Sequence, residues 1–219
     1  MTTKYQVIIF DWDGTIVNSI DWIVECLQQA TRQCDLPVPS DQASRDIIGL
    51  SLTYALAELF PDISDTDKEA LINAYSRQFF SRQTGKQDLF DGVYDMLTEL
   101  KLMGYQLAIA TGKTRAGLDK VLRSTETENL FHLSRCADET ASKPDPKMIF
   151  EIIDQFNVEK HKVLMIGDST HDLQMADNAG INAVAVTCGA HTSAILEPYN
   201  PLTCLARTTE VLDFLRGNE

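Results

Sequence analysis

The sequence predicts a doubly wound α/β fold, a Rossmann-like parallel sheet with helices on both faces, carrying an inserted all-helical cap subdomain. Three observations carry this expectation. Short, near-continuously apolar runs alternate with amphipathic helical patterns over most of the chain, as strands buried on both faces and linked by helices require. One long stretch after the first run, residues 16–86, has helical periodicity and no convincing strand; it is far longer than a crossover helix needs. The apolar runs also close on polar residues or glycine, so chemistry-bearing groups gather at strand ends.

In chain order, residues 7–10 (Val-Ile-Ile-Phe) form the first strand. Ile20, Ile23, Val24 and Leu27 then share one helical stripe, and Leu52, Leu56, Leu59 and Phe60 a second. Leu71, Tyr75 and Phe79 mark a third helix after an Asp65-Thr66-Asp67 start, with Pro37, Pro39, Gly49 and Pro61 punctuating the gaps. Val93, Met96, Leu97, Leu100 and Met103 recur at three- and four-residue steps behind Asp91 as N-cap. Gly104 ends that helix, residues 105–110 form the second strand, and a helix follows over 114–123. Ile149, Ile152, Ile153 and Phe156 face one way, with Asp145 as cap and Pro146 at the first helical position. Residues 162–166 and 183–186 are the remaining strands. The expected division is therefore a catalytic core of residues 1–15 and 87–219, and a helical cap of residues 16–86.

Charge and cysteine usage narrow the class. Nineteen Lys and Arg against 32 Asp and Glu give a formal net charge of −13. Phosphate backbones and anionic surfaces are held mainly by Lys and Arg, so neither nucleic acid nor membrane is an expected partner. The five cysteines form no C-x-x-C pair and are odd in number; reduced thiols are expected, not a disulfide framework. The apolar run at residues 7–10 is too short for a signal-peptide core, and no span of about 18 apolar residues exists. A soluble, cytoplasmic protein follows as the expectation, monomer or homodimer being equally open.

Four motifs carry chemistry. Asp11-Trp12-Asp13-Gly14-Thr15 follows the first strand directly. Carboxylates at i and i+2 there point into the crevice where α/β proteins bind ligands, and can divide nucleophile or metal ligation from proton transfer. A plain Asp-Gly turn is the competing assignment. A calcium loop fails, because Ile16 stands where its glycine and Trp22 where its glutamate would be. Thr111-Gly112-Lys113 ends the second strand; its hydroxyl and glycine amide can donate to a phosphate oxygen, with a helix N-cap as the alternative and Lys113 as a solvated charge. Ser142-Lys143-Pro144-Asp145-Pro146 pins a lysine ahead of two prolines, as phosphate neutralisation would use, although a surface-loop lysine accounts for it equally. Gly167-Asp168-Ser169-Thr170-His171-Asp172 offers oxygen ligands at another strand end, suited to Mg²⁺, while helix capping competes. Parallel connections bring such ends to one edge of one sheet.

In these motifs and their order, the chain resembles the haloacid dehalogenase-like (HAD) hydrolase superfamily, and within it the phosphoglycolate phosphatase-like group with an inserted helical cap. Residues 47–52 (Ile-Ile-Gly-Leu-Ser-Leu) also look like that group's Gly-x-Pro-Leu stretch, except that Ser51 replaces the proline. The resemblance implies an Mg²⁺-dependent phosphomonoester hydrolase acting on a small phosphorylated metabolite, phosphoglycolate foremost. It implies that Asp11 forms an aspartyl-phosphate and that Asp13 donates and later accepts the proton. Thr111, Gly112 and Lys143 would hold the phosphoryl group, and Asp11, the Asp13 carbonyl, Asp168 and Asp172 the Mg²⁺. An acid at position 13 sets the chain apart from dehalogenase and phosphonate-cleaving members. Another phosphosugar, a nucleotide or pyrophosphate as substrate, a phosphosugar mutase, and a phospho-accepting signalling switch remain the alternatives. Cap residues Arg45, Leu50, Arg77 and Arg82 are candidates to approach the leaving group, with surface positions competing for each arginine.

Overall fold

β1 (Val7–Phe10) is wholly buried and forms the centre of a six-stranded sheet in the computed structural model, which describes residues 4–217. The strand order is β3-β2-β1-β4-β5-β6 and every pairing is parallel. The other strands are β2 (Gln106–Thr111), β3 (Leu133–Cys136), β4 (Val163–Gly167), β5 (Asn182–Val186) and β6 (Cys204–Leu205). This is a doubly wound α/β sheet, with its topological switch at β1 between β2 and β4.

Side chains alternate across the sheet and divide the core in two. Ile8 and Phe10, Leu107 and Ile109, and Leu164 and Ile166 face one layer with α5 (Val93–Leu102), α6 (Arg115–Ser124) and α10 (Val211–Arg216). Val7 and Ile9, Ala108 and Ala110, and Val163 and Met165 face the other, against α7 (Lys147–Phe156) and α8 (Thr170–Ala179). Both faces are covered, which is why the central strands read as unbroken apolar runs.

Between β1 and α5 the chain is helical: α1 (Ile20–Gln33), α2 (Asp41–Asp46), α3 (Leu52–Leu59) and α4 (Asp65–Phe79). Ser40, Ser51 and Ser64 cap the last three, each accepting a backbone N–H at N3. Leu27 and Ala30 of α1 pack with Leu56 of α3 and Leu71 and Ala74 of α4, a small core separate from the sheet layers. Ile16, Val17 and Leu89 instead belong to the sheet layer, and Val17 and Leu89 form an antiparallel bridge at the base of the excursion.

Local differences from the sequence reading have physical causes. Gly92, in the left-handed conformation, precedes α5 and not Asp91 as cap. α7 starts at Lys147, so Pro146 and not Asp145 is its N-cap residue, one position later than expected, although Asp145 Oδ1 accepts the Lys147 N–H at 2.9 Å. β3 and β6 were not expected: both are outermost strands, half-buried, and carry no apolar run. The cysteines are all free. No helix among the described residues is long and apolar enough to cross a membrane.

Candidate active site

The parallel register fixes where the motifs meet. Phe10 pairs with Ile109 on one side and Ile166 on the other. Asp11 thus leaves the sheet level with the ends of β2 and β4, so Thr111 and Asp168 flank it across the switch point. Asp172 reaches the same place from the first turn of α8. Its N–H donates to Ser169 Oγ, and its Oδ2 accepts from the Ser169 N–H and hydroxyl at 3.1 and 2.7 Å, a capping box that locks its rotamer. Lys143 arrives from the long loop after β3.

One carboxylate oxygen each from Asp11, Asp168 and Asp172 lies within 4.8 Å of the others, and all three residues are buried. Lys143 Nζ donates to Asp11 Oδ1 and Asp172 Oδ1, both at 2.6 Å, from a fully buried position. Asp168 is held by the Thr15 hydroxyl at Oδ1 and the Ala190 N–H at Oδ2, both 2.7 Å. Among the described residues nothing donates to Asp11 Oδ2, and Asp11 lines the cleft.

Three carboxylates face one lysine, and the imbalance shows in their protonation. Burial, followed by the neighbouring Asp172 charge, pushes Asp168 up to about 7. Asp11 is raised chiefly by burial and by Asp172 and Asp168, against the opposing pull of Lys143. Lys143 is held above its ordinary value: burial would lower it, but Asp11 and Asp172 more than offset that, so it stays charged. With all three carboxylates ionised, two buried negative charges would go unmatched, and every available donor is a hard oxygen. That donor set and charge deficit fit a divalent cation of the Mg²⁺ class.

Asp13 lies at the cleft wall, not in the carboxylate cluster. Its Oδ1 accepts from the Ser19 hydroxyl at 2.7 Å and its Oδ2 pairs with Lys113 Nζ at 2.8 Å. Lys113 is therefore no solvated charge: it is mostly buried and lies 4.6 Å over the Phe79 ring. Thr111 is buried at the end of β2, while Thr114 is the residue that caps α6. Gly112 lies under the Gly49–Leu50 loop so closely that a Cβ there would collide with both carbonyl oxygens, Gly49 O at 2.6 Å among them. Gly14 adopts φ +79°, and a side chain there would strike Asp168.

The helical excursion closes the cleft. Ser51 donates its N–H to Ser142 Oγ at 2.8 Å, next to Lys143; the proline of the related stretch has no N–H to give. His171 Nε2 lies 2.8 Å from the Asp46 carbonyl and His191 Nε2 3.3 Å from its carboxylate, so two histidines that look scattered in sequence meet at one junction. A cavity of about 460 Å³ lies between excursion and sheet edge, lined by Asp11, Asp13, Thr111, Gly112 and Lys113 below. Leu50 lines it above, but the three arginines do not. Arg45 pairs with Asp21, Arg82 pairs with Asp88 and lies over Trp22, and Arg77 is exposed away from the wall.

Thr15, Ser19, Lys113, Ser169 and Ala190 are site residues beyond those singled out from sequence. Thr15, Lys113 and Ser169 lie within the motifs themselves; the partners of Thr15 and Lys113 come from other strands, whereas Ser169 bonds Asp172 three residues on and carried a local signal, as a possible cap.

Comparison with known proteins places this geometry. Residues 8–186 match the family model described as haloacid dehalogenase-like hydrolase. The chain is 32% identical to "Probable phosphatase IndB" of Dickeya dadantii over 94% of its length and 91% of the relative's. It is 26% identical to pyrophosphatase PpaX of Bacillus cereus (strain Q1), covering 97% of each chain. A haloacid dehalogenase-like hydrolase from Bacteroides fragilis superposes with a TM-score of 0.85 at 26% identity, over 95% of this chain and 100% of that one. A hydrolase from Pseudomonas syringae, at 21% identity, shares the fold with a TM-score of 0.87 over 97% and 98%. Motifs, sheet topology and these likenesses agree: the chain belongs to the haloacid dehalogenase-like hydrolase family.

Proposed function

We propose that the protein is an Mg²⁺-dependent phosphomonoester hydrolase that works through an aspartyl-phosphate on Asp11. The observation that carries this reading is the buried set of Asp11, Asp168 and Asp172 at the switch point, with Lys143 bridging Asp11 and Asp172.

Asp11 Oδ2 is the nucleophile: it attacks phosphorus in line, and the bond from phosphorus to the leaving oxygen breaks. Lys143 holds Asp11 through Oδ1, which leaves Oδ2 without a donor among the described residues. Asp13 gives its proton to the leaving oxygen, then takes one from the water that attacks phosphorus and regenerates Asp11. The Thr111 hydroxyl, the Gly112 amide and Lys143 hold the phosphoryl oxygens while charge develops on them. Asp11, Asp168, Asp172 and the Asp13 carbonyl would hold Mg²⁺, which when bound neutralises phosphoryl charge that this acidic cleft would otherwise repel. The helical excursion acts as the cap, keeping bulk water out while the intermediate stands.

The sequence resemblance puts phosphoglycolate first among substrates to test, and the likeness to PpaX puts pyrophosphate second. The test is phosphate release from p-nitrophenyl phosphate. The reading expects steady turnover with Mg²⁺ that vanishes with EDTA and returns on adding the metal. A single equivalent of stable protein phosphate would identify a signalling switch instead, and turnover indifferent to chelation would remove the metal.

A further inference from the structure

Resting on that reading, we infer that the enzyme's substrates are phosphomonoesters of apolar alcohols, with an alkyl or aryl body and no second anionic group. The evidence is the composition of the cavity wall opposite Asp11. Leu27 of α1, Ile47 and Leu50 of the α2–α3 connection, and Ile72, Tyr75 and Phe79 of α4 enclose the space that a leaving group would enter. Lys113 is the only cationic side chain on the wall among the described residues, and it is already paired with Asp13 and stacked on Phe79. The remaining charged lining groups, Asp11, Asp13 and Asp138, are acids.

A leaving group bearing a carboxylate or second phosphate would enter this space with no cation to meet it, and would have to shed its hydration against hydrocarbon. A sugar would bring several hydroxyls against Leu27, Ile47 and Ile72, and the hydroxyls on the wall, among them Ser51, Thr53, Ser76 and Thr114, would have to meet them all. The cavity, about 460 Å³, is within the ~300–1,000 Å³ range that holds ligands much larger than a two-carbon acid. Tyr75 adds a polar contact within the apolar part of the wall. Its phenol makes no hydrogen bond to any described residue, and burial, then the charge of Asp13, keeps it protonated and able to donate. An apolar body with one hydroxyl or ring nitrogen fills these requirements.

The test compares kcat/KM for benzyl and n-hexyl phosphate with phosphoglycolate, glucose 6-phosphate and pyrophosphate, all with Mg²⁺. The apolar esters should exceed the charged and sugar substrates by about tenfold or more, the scale at which a hydrophobic pocket discriminates. Ile72→Lys, checked for folding by its thermal midpoint, should narrow or invert that ratio by supplying a cation. Calorimetry adds a readout that does not need turnover: benzylphosphonate should bind with a more negative heat-capacity change than methylphosphonate, the mark of apolar burial. Turnover that favours phosphoglycolate, glucose 6-phosphate or pyrophosphate would overturn this inference and leave the phosphatase reading intact. No hydrolysis of any ester, p-nitrophenyl phosphate included, would overturn that reading and this inference with it.

Discussion

At the residue scale the site depends on a division between two acids that sit two positions apart. Asp11 is buried in the carboxylate cluster, while Asp13 stands at the cleft wall between Ser19 and Lys113. That separation follows from the turn: Gly14 takes a left-handed φ and lets the chain double back beneath Asp168. If Asp13 supplies the leaving-group proton, Asp13→Asn should cost about 10²-fold or more in kcat with alkyl phosphates and far less with p-nitrophenyl phosphate, whose alcohol leaves without protonation. Equal losses with both would take Asp13 out of the acid role. The sequence displayed Asp11, Asp13, Thr111, Lys143, Asp168 and Asp172 because each belongs to a short motif at a strand or loop end. It did not display what holds them. Thr15 and Asp168 lie 153 positions apart and Asp168 and Ala190 22 apart, and only the assembled fold makes them neighbours.

At the scale of elements, legibility followed burial. β1, β2, β4 and β5 are inner strands, with sheet neighbours on both sides, and announced themselves as apolar runs. β3, as Leu-Ser-Arg-Cys on the outer edge, and the two-residue β6 did not. α2, six mostly polar residues, offered no stripe to read. The loop between α2 and α3 matters most to the site, because Gly49 and Leu50 rest directly on Gly112 while Ser51 bonds to Ser142 beside Lys143. A closed cleft therefore needs position 112 to have no side chain. Gly112→Ala should lift this loop and lower kcat/KM about 10²-fold, the cost of misplacing a catalytic arrangement by an ångström or so. Wild-type kcat/KM in that variant would mean that the loop does not seat on Gly112 during turnover.

At the scale of the whole molecule, a net charge of −13 looks hostile to any phosphate ligand. On the proposed function, part of that acid is concentrated in the buried Asp11, Asp168 and Asp172 cluster, where a divalent cation would offset it. In the metal-free protein, the uncompensated cluster carries a pH signature. Asp168 is raised from 3.8 to about 7 in the folded chain, so between these values the folded state binds more protons than the unfolded one. Its contribution is fully favourable below the lower value and is lost as pH rises through the upper. The thermal midpoint of metal-free protein should therefore climb as pH falls from about 8 towards 5, and saturating Mg²⁺ should raise the midpoint most at the alkaline end. A metal-free midpoint that falls over that interval would contradict the charge deficit inferred for the cluster.

The central claim is that Asp11 is the nucleophile of a phosphatase, and phosphate release by the Asp11→Asn variant tests it most directly. The substitution keeps the side chain's size and its place against Lys143 but removes the attacking carboxylate. With the variant's circular dichroism and thermal midpoint close to wild type, turnover of p-nitrophenyl phosphate with Mg²⁺ should fall by roughly 10³-fold or more, as losses of catalytic nucleophiles do. A folded Asp11→Asn protein that still releases phosphate at a substantial fraction of the wild-type rate would contradict it.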